Sequence, residues 1–381
     1  MKMNPNRAGE FIKYTSYATF HPKPLPPDPP LMIDEKMQKL LSEADMSVGR
    51  LDGITHFLPD PDLFVAMYVQ KEAVLSSQIE GTQASLSDVL QIDVETEKRE
   101  DVAEVVNYVN AINYGLERLN ELPISLRLIR EVHKHLLRSG RGSRSTPGEF
   151  RVEQNWIGPA GCSVEDATFV PPNVTDMREA ISDLEKYFHV EDATPALIKI
   201  AFIHAQFETI HPFIDGNGRM GRLLITLWLC QQKILSKPLL YLSYYFKKNR
   251  YEYYDNLMRV RKKGDWERWV TFFLEGVSEV STEATQTAIE IVQLKKSLEK
   301  RLSNRKGNNY HQVIDLLFKQ PIITNNIIRE KLNLSHPTAG KMVDYLMQQG
   351  IICDISPERK RNKRYAFIDY ISILNRGTEL N

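Results

Sequence analysis

Residues 211–222 concentrate groups that can do chemistry. They read His-Pro-Phe-Ile-Asp-Gly-Asn-Gly-Arg-Met-Gly-Arg, which supplies an imidazole, a carboxylate, an amide and two guanidinium groups. His211 has an ordinary pKa of about 6.5, which suits proton transfer near neutral pH. Asp215 offers oxygen ligands to a hard cation such as Mg²⁺, which proteins hold through one or two carboxylates together with substrate phosphates.

The same stretch has the features of an anion site. Gly216 and Gly218 permit backbone conformations that let several N–H groups point into one concavity. A helix is predicted to start here, and the N-terminus of a helix favours negative charge. Arg219 and Arg222 are three residues apart, so they share one helix face from which both can clamp phosphate oxygens. We therefore predict a phosphate site with an adjacent base.

Helices must position this loop. Apolar residues at helical spacing predict two buried helices, one over 196–210 and one that begins in the loop and continues through 223–230. A third helix is predicted over 61–80, with Asp60 as its N-cap and Pro61 as its first residue.

The end of the 61–80 helix contains an electrostatic anomaly. Gly81 is suited to a left-handed C-cap, so the helix should end at Glu80. A carboxylate at the negative end of the helix dipole costs about 0.3–1 kcal/mol when nothing compensates it. We therefore expect a cationic partner for Glu80 from elsewhere in the chain.

Two motifs resemble the Fic family. Residues 211–222 match its signature, His-x-Phe-x-Asp/Glu-Gly-Asn-Gly-Arg-x-x-Arg, at every specified position. Ser76-Ser77-Gln78-Ile79-Glu80-Gly81 matches its inhibitory motif, Ser/Thr-x-x-x-Glu-Gly/Asn. In relatives the glutamate bonds the second signature arginine, which is Arg222 here. The resemblance thus implies that Ser76, Glu80 and Gly81 are regulatory, with Glu80 in the place of the γ-phosphate of a nucleotide.

The resemblance also implies an activity: transfer of AMP from ATP to Ser, Thr or Tyr hydroxyls of a target protein, or of the enzyme itself. His211 would be the catalytic base, Asp215 would hold Mg²⁺, and Phe213 would anchor the loop. Gly218 stands where kinase-like relatives carry lysine, which favours a nucleotidyltransferase. The implied nucleotide contacts are Asp215, Gly216, Asn217, Gly218, Arg219, Gly221, Arg222, Tyr254 and Leu257.

Some features of the site stay open at the level of sequence. Tyr254 and Leu257 are aligned with the adenine only roughly, and Arg259 and Arg261 stand where relatives may use an asparagine, so base recognition is unsettled. Transfer of UMP, or removal of AMP from a modified target, are related alternatives. We interpret His133 and His135 as structural or exposed rather than as metal ligands. His204 is interpreted as a core histidine rather than a catalytic one.

The predicted fold class is mainly α: a Fic-type helical bundle with a small β-hairpin flap, plus a C-terminal winged-helix domain. We expect four regions. They are an N-terminal arm and helical region over 1–119 that includes the inhibitory helix 61–80, a Fic catalytic core over 120–278, a connector helix and linker over 279–308, and a winged helix-turn-helix domain over 309–381.

Extended segments are predicted in two places. The prolines at 22–30 favour an extended arm, which is either a linker or packed along the domain surface. Packing is favoured by four aromatic residues: Phe11, Tyr14, Tyr17 and Phe20. Residues 148–158 and 168–172 predict the two strands of a hairpin. By resemblance, 148–172 is a flap over the active site whose edge takes up an extended target segment. A plain surface hairpin is the alternative.

The C-terminal region predicts three helices: one over 310–319, one over 325–332 with Thr324 as its N-cap, and one that runs to residue 349 with Ser335 as its N-cap. Strands over 351–355 and 365–368 follow, around a basic turn. This order resembles a winged helix-turn-helix. Its candidate DNA contacts are Thr338, Lys341, Arg359, Lys360, Arg361, Lys363 and Arg364. Dimerisation or protein contact is an equal alternative. The competing overall function is a DNA-binding transcriptional regulator whose Fic domain senses nucleotide or mediates dimerisation.

Composition narrows the class of protein. The chain has 381 residues, with 49 Lys plus Arg and 49 Asp plus Glu, so its overall charge implies no polyanionic partner. Its 3 cysteines give no disulfide framework or zinc pattern, which fits a reducing cytosol. No apolar run approaches the roughly 18 residues that span a bilayer, and the N-terminus lacks the apolar core of a signal peptide. We expect a cytoplasmic protein, with a homodimer left open.

Overall fold

Helices dominate the computed structural model, which describes residues 6–55, 58, 61–90, 100–302 and 309–376. The helices around the site are α1 (Glu35–Thr55), α2 (Pro61–Ile79), α3 (Leu86–Leu90), α4 (Glu100–Arg118), α5 (Leu126–Leu136), α6 (Val174–Phe188), α7 (Ala196–Ile210), α8 (Asn217–Gln231), α9 (Ser243–Lys248), α10 (Arg250–Lys263) and α11 (Trp266–Leu302). A short 3₁₀ helix spans Arg141–Arg144. Among the described helices, none is both long and apolar enough to cross a membrane.

The centre of the bundle is α7, whose side chains are buried on every face. A helix that is apolar nearly all round can only be satisfied inside a core. It packs against α6, α8, α10 and α11. Because α8 follows it after a short loop, residues 211–216 are held between two core helices.

The inhibitory helix of the prediction is α2. It begins at Pro61, while its predicted N-cap, Asp60, lies outside the described residues. It ends at Ile79, and Gly81 follows with a positive φ of 92°. Since α2 packs against α4, α8 and α9, its C-terminal end faces the start of α8.

The helix α11 runs unbroken for 37 residues, so the predicted boundary after residue 278 falls inside one helix. The prediction of a separate connector helix is wrong at this point. Buried positions continue at helical spacing through the boundary, at Val277, Val280, Ala284 and Ala288. This stripe packs along α1. No proline lies within Trp266–Leu302, so the helix continues through residue 278.

The N-terminal arm forms a hairpin that the sequence analysis missed. Strands β1 (Gly9–Lys13) and β2 (Ala18–Pro22) pair antiparallel, with Phe11 opposite Phe20. The predicted packing is confirmed, because Phe20 is fully buried and its ring lies 6.1 Å from that of Phe169. The N–H of Phe20 also donates to the carbonyl of Val170 at 3.1 Å. The hairpin thus braces residues 169–170.

The predicted flap hairpin is much reduced. Between residues 148 and 172, all of them described, the pairing is one antiparallel bridge between Ile157 and Phe169. Its two backbone hydrogen bonds are 2.8 and 3.1 Å long. Pro159 and the pair Pro171-Pro172 cannot donate to a ladder, which explains why the strands do not extend. The role of a flap stays a prediction.

The C-terminal region contains α12 (Asn309–Lys319), β3 (Ile322–Thr324), α13 (Asn325–Lys331), α14 (His336–Gln348), β4 (Cys353–Asp354), β5 (Arg364–Ala366) and α15 (Ile368–Asn375). The strands form one sheet in the order β3-β5-β4. Strand β3 and helix α15 were not predicted from the sequence. The strand predicted over 365–368 ends at Ala366, and α15 begins at Ile368. The predicted caps Thr324 and Ser335 are confirmed, since each hydroxyl accepts a backbone N–H of the next helix.

Candidate active site

The signature loop starts with a left-handed residue. His211 caps α7 with φ 50° and ψ 60°, and its N–H donates to the carbonyl of Phe207 at 3.0 Å. At the other end, Gly216 precedes α8 with φ 77°. That value is costly for any residue with a Cβ, so this glycine is needed for the turn.

Two side chains inside the loop fix its shape. Asn217 uses both amide atoms on one residue: its Oδ1 accepts the N–H of Phe213 and its Nδ2 donates to the carbonyl of Phe213, each at 2.8 Å. Phe213 is fully buried, which confirms it as the anchor of the loop. The side chain of Asn217 is therefore used inside the loop, so its predicted contact with an anion can come only from its backbone N–H.

His133 on α5 holds the loop from outside, a role that the sequence analysis missed. Its ring stacks on Phe213 with centroids 3.6 Å apart. Its Nε2 lies 2.9 Å from the carbonyl oxygen of Asp215, and its Nδ1 accepts the N–H of Gly148 at 2.9 Å. Burial lowers the pKa of His133 to about 4, so the ring is neutral at pH 7. In the sequence, His133 lies in one apolar stripe with Ile129 and Leu137, and this position indicates burial.

Replacing His133 with phenylalanine should keep the stacking and remove both hydrogen bonds. The buried N–H of Gly148 would lose its acceptor, a cost of about 1–3 kcal/mol. We expect a melting temperature several degrees lower by scanning calorimetry. His135→Phe is the matched control, because His135 stacks on Tyr114 instead and is only half-buried. Equal melting temperatures for the two variants would contradict this role.

The His211 imidazole is neutral. Burial, followed by the charges of Arg261 and Arg151, lowers the pKa of His211 to about 3. Its Nδ1 has no hydrogen-bond partner among the described residues. The ring is thus in the protonation state that a general base needs at physiological pH.

Arg151 was also missed by the sequence analysis. It is 1% exposed, and its side chain donates to three carbonyls, those of His211, Glu153 and Pro172. Its backbone N–H donates to the carbonyl of Pro212 at 2.9 Å. This one residue therefore joins both ends of the 148–172 segment to the signature loop. Nothing in the sequence around Arg151 marks it for that task.

Arg222 has the cationic role expected from the dipole anomaly. Its Nη2 lies 2.7 Å from Oε1 of Glu80, and its Nε donates to the hydroxyl of Ser76 at 2.8 Å. The Ser76 carbonyl accepts a further hydrogen bond at 3.0 Å. Burial acts to raise the pKa of Glu80, but the charge and hydrogen bond of Arg222 outweigh it and hold that pKa below its ordinary value.

The Glu80 carboxylate also lies over the N-terminus of α8. A Cβ built on Gly218 would clash with Oε1 of Glu80. Glycine at this position therefore lets an anionic group approach the first turn of the helix. The place predicted for a phosphate is occupied by a carboxylate of the same chain.

Arg219 is 4% exposed and contacts two carboxylates. Its Nη1 is 3.4 Å from Oε2 of Glu104, and its Nη2 is 3.6 Å from Oδ1 of Asp215. Its Nε has no partner among the described residues. This buried, unsatisfied donor fits the prediction that Arg219 receives a phosphate oxygen.

Asp215 keeps a partly exposed side chain, while its Oδ1 accepts the N–H of Gly216 at 2.6 Å. The N–H of Gly216 is therefore already used, and its predicted role in stabilising phosphate oxygens does not hold in this structure. The described residues contain no cluster of three or more protein ligands for a metal. One exposed carboxylate fits Mg²⁺ that is held jointly with phosphates.

Three other predicted contacts are placed differently. Gly221 faces α7, where a Cβ would clash with Oε1 of Glu208, so it serves helix packing. Tyr254 lies at the edge of the site with 38% of its surface exposed. Desolvation and then the charge of Glu80 raise its pKa to about 12. Leu257 is 2% exposed and belongs to the core.

Arg261, Arg259 and His204 make contacts within the fold. Arg261, left open as a base contact, donates to the carbonyl of Glu208 and lies 4.0 Å above the Phe169 ring. Its neighbour Arg259 pairs with Asp255. The core role of His204 is confirmed, because it is fully buried, with Nε2 2.9 Å from the hydroxyl of Tyr253.

Comparison with known proteins agrees with the signature. The profile of the Fic/DOC family N-terminal region matches residues 38–117, and the Fic/DOC family profile matches residues 123–229. The protein adenylyltransferase Fic of Aedes aegypti is 30% identical over 166 residues, 43% of this chain and 30% of that protein. The protein of the same name from Drosophila persimilis is 27% identical over 172 residues, 45% of this chain and 29% of that protein. The matches thus span less than a third of these relatives.

Solved structures show the same fold. A Fic family protein from Desulfovibrio desulfuricans G20 superposes with a TM-score of 0.57 at 21% identity, over 89% of this chain and 97% of that one. A Fic domain containing signaling protein from Bacteroides thetaiotaomicron VPI-5482 gives a TM-score of 0.51 at 16% identity, over 67% of this chain and 97% of that one. The profile matches thus place a Fic domain in residues 123–229 and the Fic/DOC family N-terminal region in residues 38–117. The solved structures, at 21% and 16% identity, show a shared fold.

Proposed function

We propose that this protein is an autoinhibited protein adenylyltransferase that moves AMP from ATP to Ser, Thr or Tyr hydroxyls of a target protein, or of itself. The observation that carries the proposal is the start of α8. There, a neutral imidazole and two arginines surround a helix N-terminus that Glu80 covers. The activity in the names of the Aedes and Drosophila relatives supports this class of reaction.

In the proposed reaction, His211 takes the proton of the incoming hydroxyl. The hydroxyl oxygen bonds to the α-phosphorus as the bond from that phosphorus to the bridging oxygen breaks, and pyrophosphate leaves in line. Arg219 and Arg222 stabilise the charge of the leaving group. Asp215 would hold Mg²⁺, which supplies further charge neutralisation.

The proposed inhibition is a competition for Arg222. The guanidinium can bond Glu80 or a γ-phosphate, but not both in the same geometry. Arg222 itself is 2% exposed and buried in α8, whereas the side chain of Glu80 is 37% exposed just beyond the end of α2. The glutamate can therefore move away without unpacking a helix.

The other parts of the proposal concern organisation and partners. We assign inhibition to 1–119, catalysis to 120–278 and a winged helix-turn-helix to 309–381, with α11 joining the last two. A target protein would add an extended segment along 148–172 by backbone hydrogen bonds. A homodimer is compatible with this assignment.

Transfer of label is the direct test. The protein and its Glu80→Gly variant are incubated with cell lysate and ATP labelled at the α-phosphate, and labelled proteins are identified by mass spectrometry. Parallel reactions with α-labelled UTP distinguish AMP from UMP transfer. No transfer from either nucleotide, to lysate proteins or to the enzyme, would overturn the proposal.

A second candidate function is DNA binding by the C-terminal region. Thr338 and Lys341 on α14 are exposed, as are Arg359, Lys360 and Arg361 in the basic turn. Two predicted contacts are already engaged or buried: Lys363 pairs with Asp354 at 2.7 Å, and Arg364 is 6% exposed. A gel-shift series at varied salt tests this function, since each neutralised phosphate contributes about 0.9 to the slope of log K against log salt.

A further inference from the structure

Arg219 is held by a carboxylate that no sequence motif announced. Glu104 lies on α4, with its side chain 4% exposed and its Oε2 3.4 Å from Nη1 of Arg219. The same Oε2 accepts a hydrogen bond from the hydroxyl of Thr82 at 2.8 Å. Thr82 comes two residues after Glu80. One buried oxygen therefore contacts both the phosphate-site arginine and the turn that carries the inhibitory glutamate.

The position of Glu104 is rigid. Its helix α4 packs against α2, α5 and α8, and the neighbouring Val105 is fully buried. Asn107, one turn later, donates to the carbonyl of Ser139 at 2.9 Å. A Cβ built on the next residue, Gly140, would lie 3.1 Å from Cγ of Glu104. Glu104 thus cannot swing aside as the more exposed Glu80 can.

We propose that Glu104 is a positioning residue for Arg219, and that Thr82 connects it to the inhibitory turn. This inference rests on the proposed function. Glu104 orients the guanidinium through Nη1 while Asp215 lies near Nη2, and Nε remains without a partner among the described residues. A guanidinium that is preorganised to donate to a phosphate oxygen does not have to reorganise when the nucleotide binds.

Through Thr82, the inhibitory turn is connected to Arg219 as well as to Arg222. Within the short segment 76–82, Ser76 and Glu80 bind Arg222, and Thr82 shares the carboxylate that binds Arg219. Displacing the turn 80–82 would free Arg222 from Glu80 and change the hydrogen bonding of Glu104 together. In the proposed function Arg219 holds the β-phosphate and Arg222 holds the γ-phosphate, so this turn is coupled to both phosphate contacts.

Nucleotide affinities distinguish a positioning role of Glu104 from a general loss of structure in the variant. In the full-length Glu80→Gly chain, Glu104→Gln should weaken ADP binding about 10-fold by calorimetry, because the charged acceptor that orients Arg219 is replaced by a neutral amide. AMP lacks the β-phosphate, so its affinity should change less than about 2-fold. Glu117→Gln, on an exposed part of the same helix, is the matched control and should leave both affinities unchanged.

Each outcome decides the inference. An equal loss of ADP and AMP affinity in Glu104→Gln, or no loss of either, would overturn the positioning role. If the Glu80→Gly parent binds ADP but transfers no AMP, the proposed function is wrong. The ratio of the ADP and AMP affinities still tests the positioning role of Glu104 in that case. For the connection, Thr82→Val in the otherwise unchanged chain should raise self-modification several-fold while Thr82→Ser should not. Identical rates would overturn it.

Discussion

Replacing Glu80 with glycine should raise self-modification by AMP about 10-fold or more, which is within the range of coupling between two sites. The variant removes the carboxylate 2.7 Å from Arg222 and uncovers the N-terminus of α8. Arg222 and the helix N–H groups then become available to nucleotide phosphates. The measurement is incorporation of label from α-labelled ATP into the protein, together with ATP affinity by calorimetry.

The same substitution should cost stability. Arg222 is buried and, among the described residues, would keep Ser76 as its hydrogen-bond partner. Because the Glu80 side chain is partly exposed, we expect a loss of only about 1–2 kcal/mol in the free energy of unfolding, less than for a fully buried pair.

Gln78→Gly is the matched control for glycine near the end of α2. Gln78 donates to the carbonyl of Ala84 and has no described contact with Arg222. That control should lower stability without raising label incorporation. If Glu80→Gly left incorporation unchanged, or if both variants raised it equally, the inhibitory role of Glu80 would be wrong.

Replacing His211 with alanine in the Glu80→Gly background should lower transfer about 10²–10⁴-fold, the usual contribution of a general base. The loop should survive the change, because it is held by the backbone contacts of Arg151 and by Phe213 rather than by the imidazole. His189→Ala removes an exposed imidazole elsewhere and should leave the rate unchanged. Transfer that persisted in His211→Ala would remove His211 as the base.

The pH dependence gives an independent check on His211. A pKa of about 3, lowered by burial, Arg261 and Arg151, leaves the imidazole neutral down to acid pH. The charge of Glu80 acts to raise this pKa, so the Glu80→Gly background should lower it further. At pH 5 roughly 1% of such a base is protonated, whereas an ordinary histidine would be almost fully protonated. Single-turnover transfer should therefore stay flat between pH 8 and pH 5; an inflection near 6.5 would contradict this environment.

Local patterns in the sequence predicted much of this protein. Apolar periodicity predicted α2, α7 and α8, because a buried helix face repeats within one element. The signature at 211–222 predicted a base and a helix N-terminus beside two arginines. The dipole anomaly at Glu80 predicted a cationic partner, and the structure has that partner in Arg222, 142 residues away.

The tertiary structure decided which distant residues surround that loop. His133, Arg151 and Glu104 contact it from 82, 60 and 115 residues away, and none lies in a motif. The β1–β2 hairpin and the single bridge at Ile157 were likewise set by long-range packing. The sequence by itself determined which chemical groups the site contains, because those groups lie close together in the chain and their types and spacing can be read directly. Which side chains orient those groups depends on how helices pack, and packing depends on contacts between residues that are far apart in the chain.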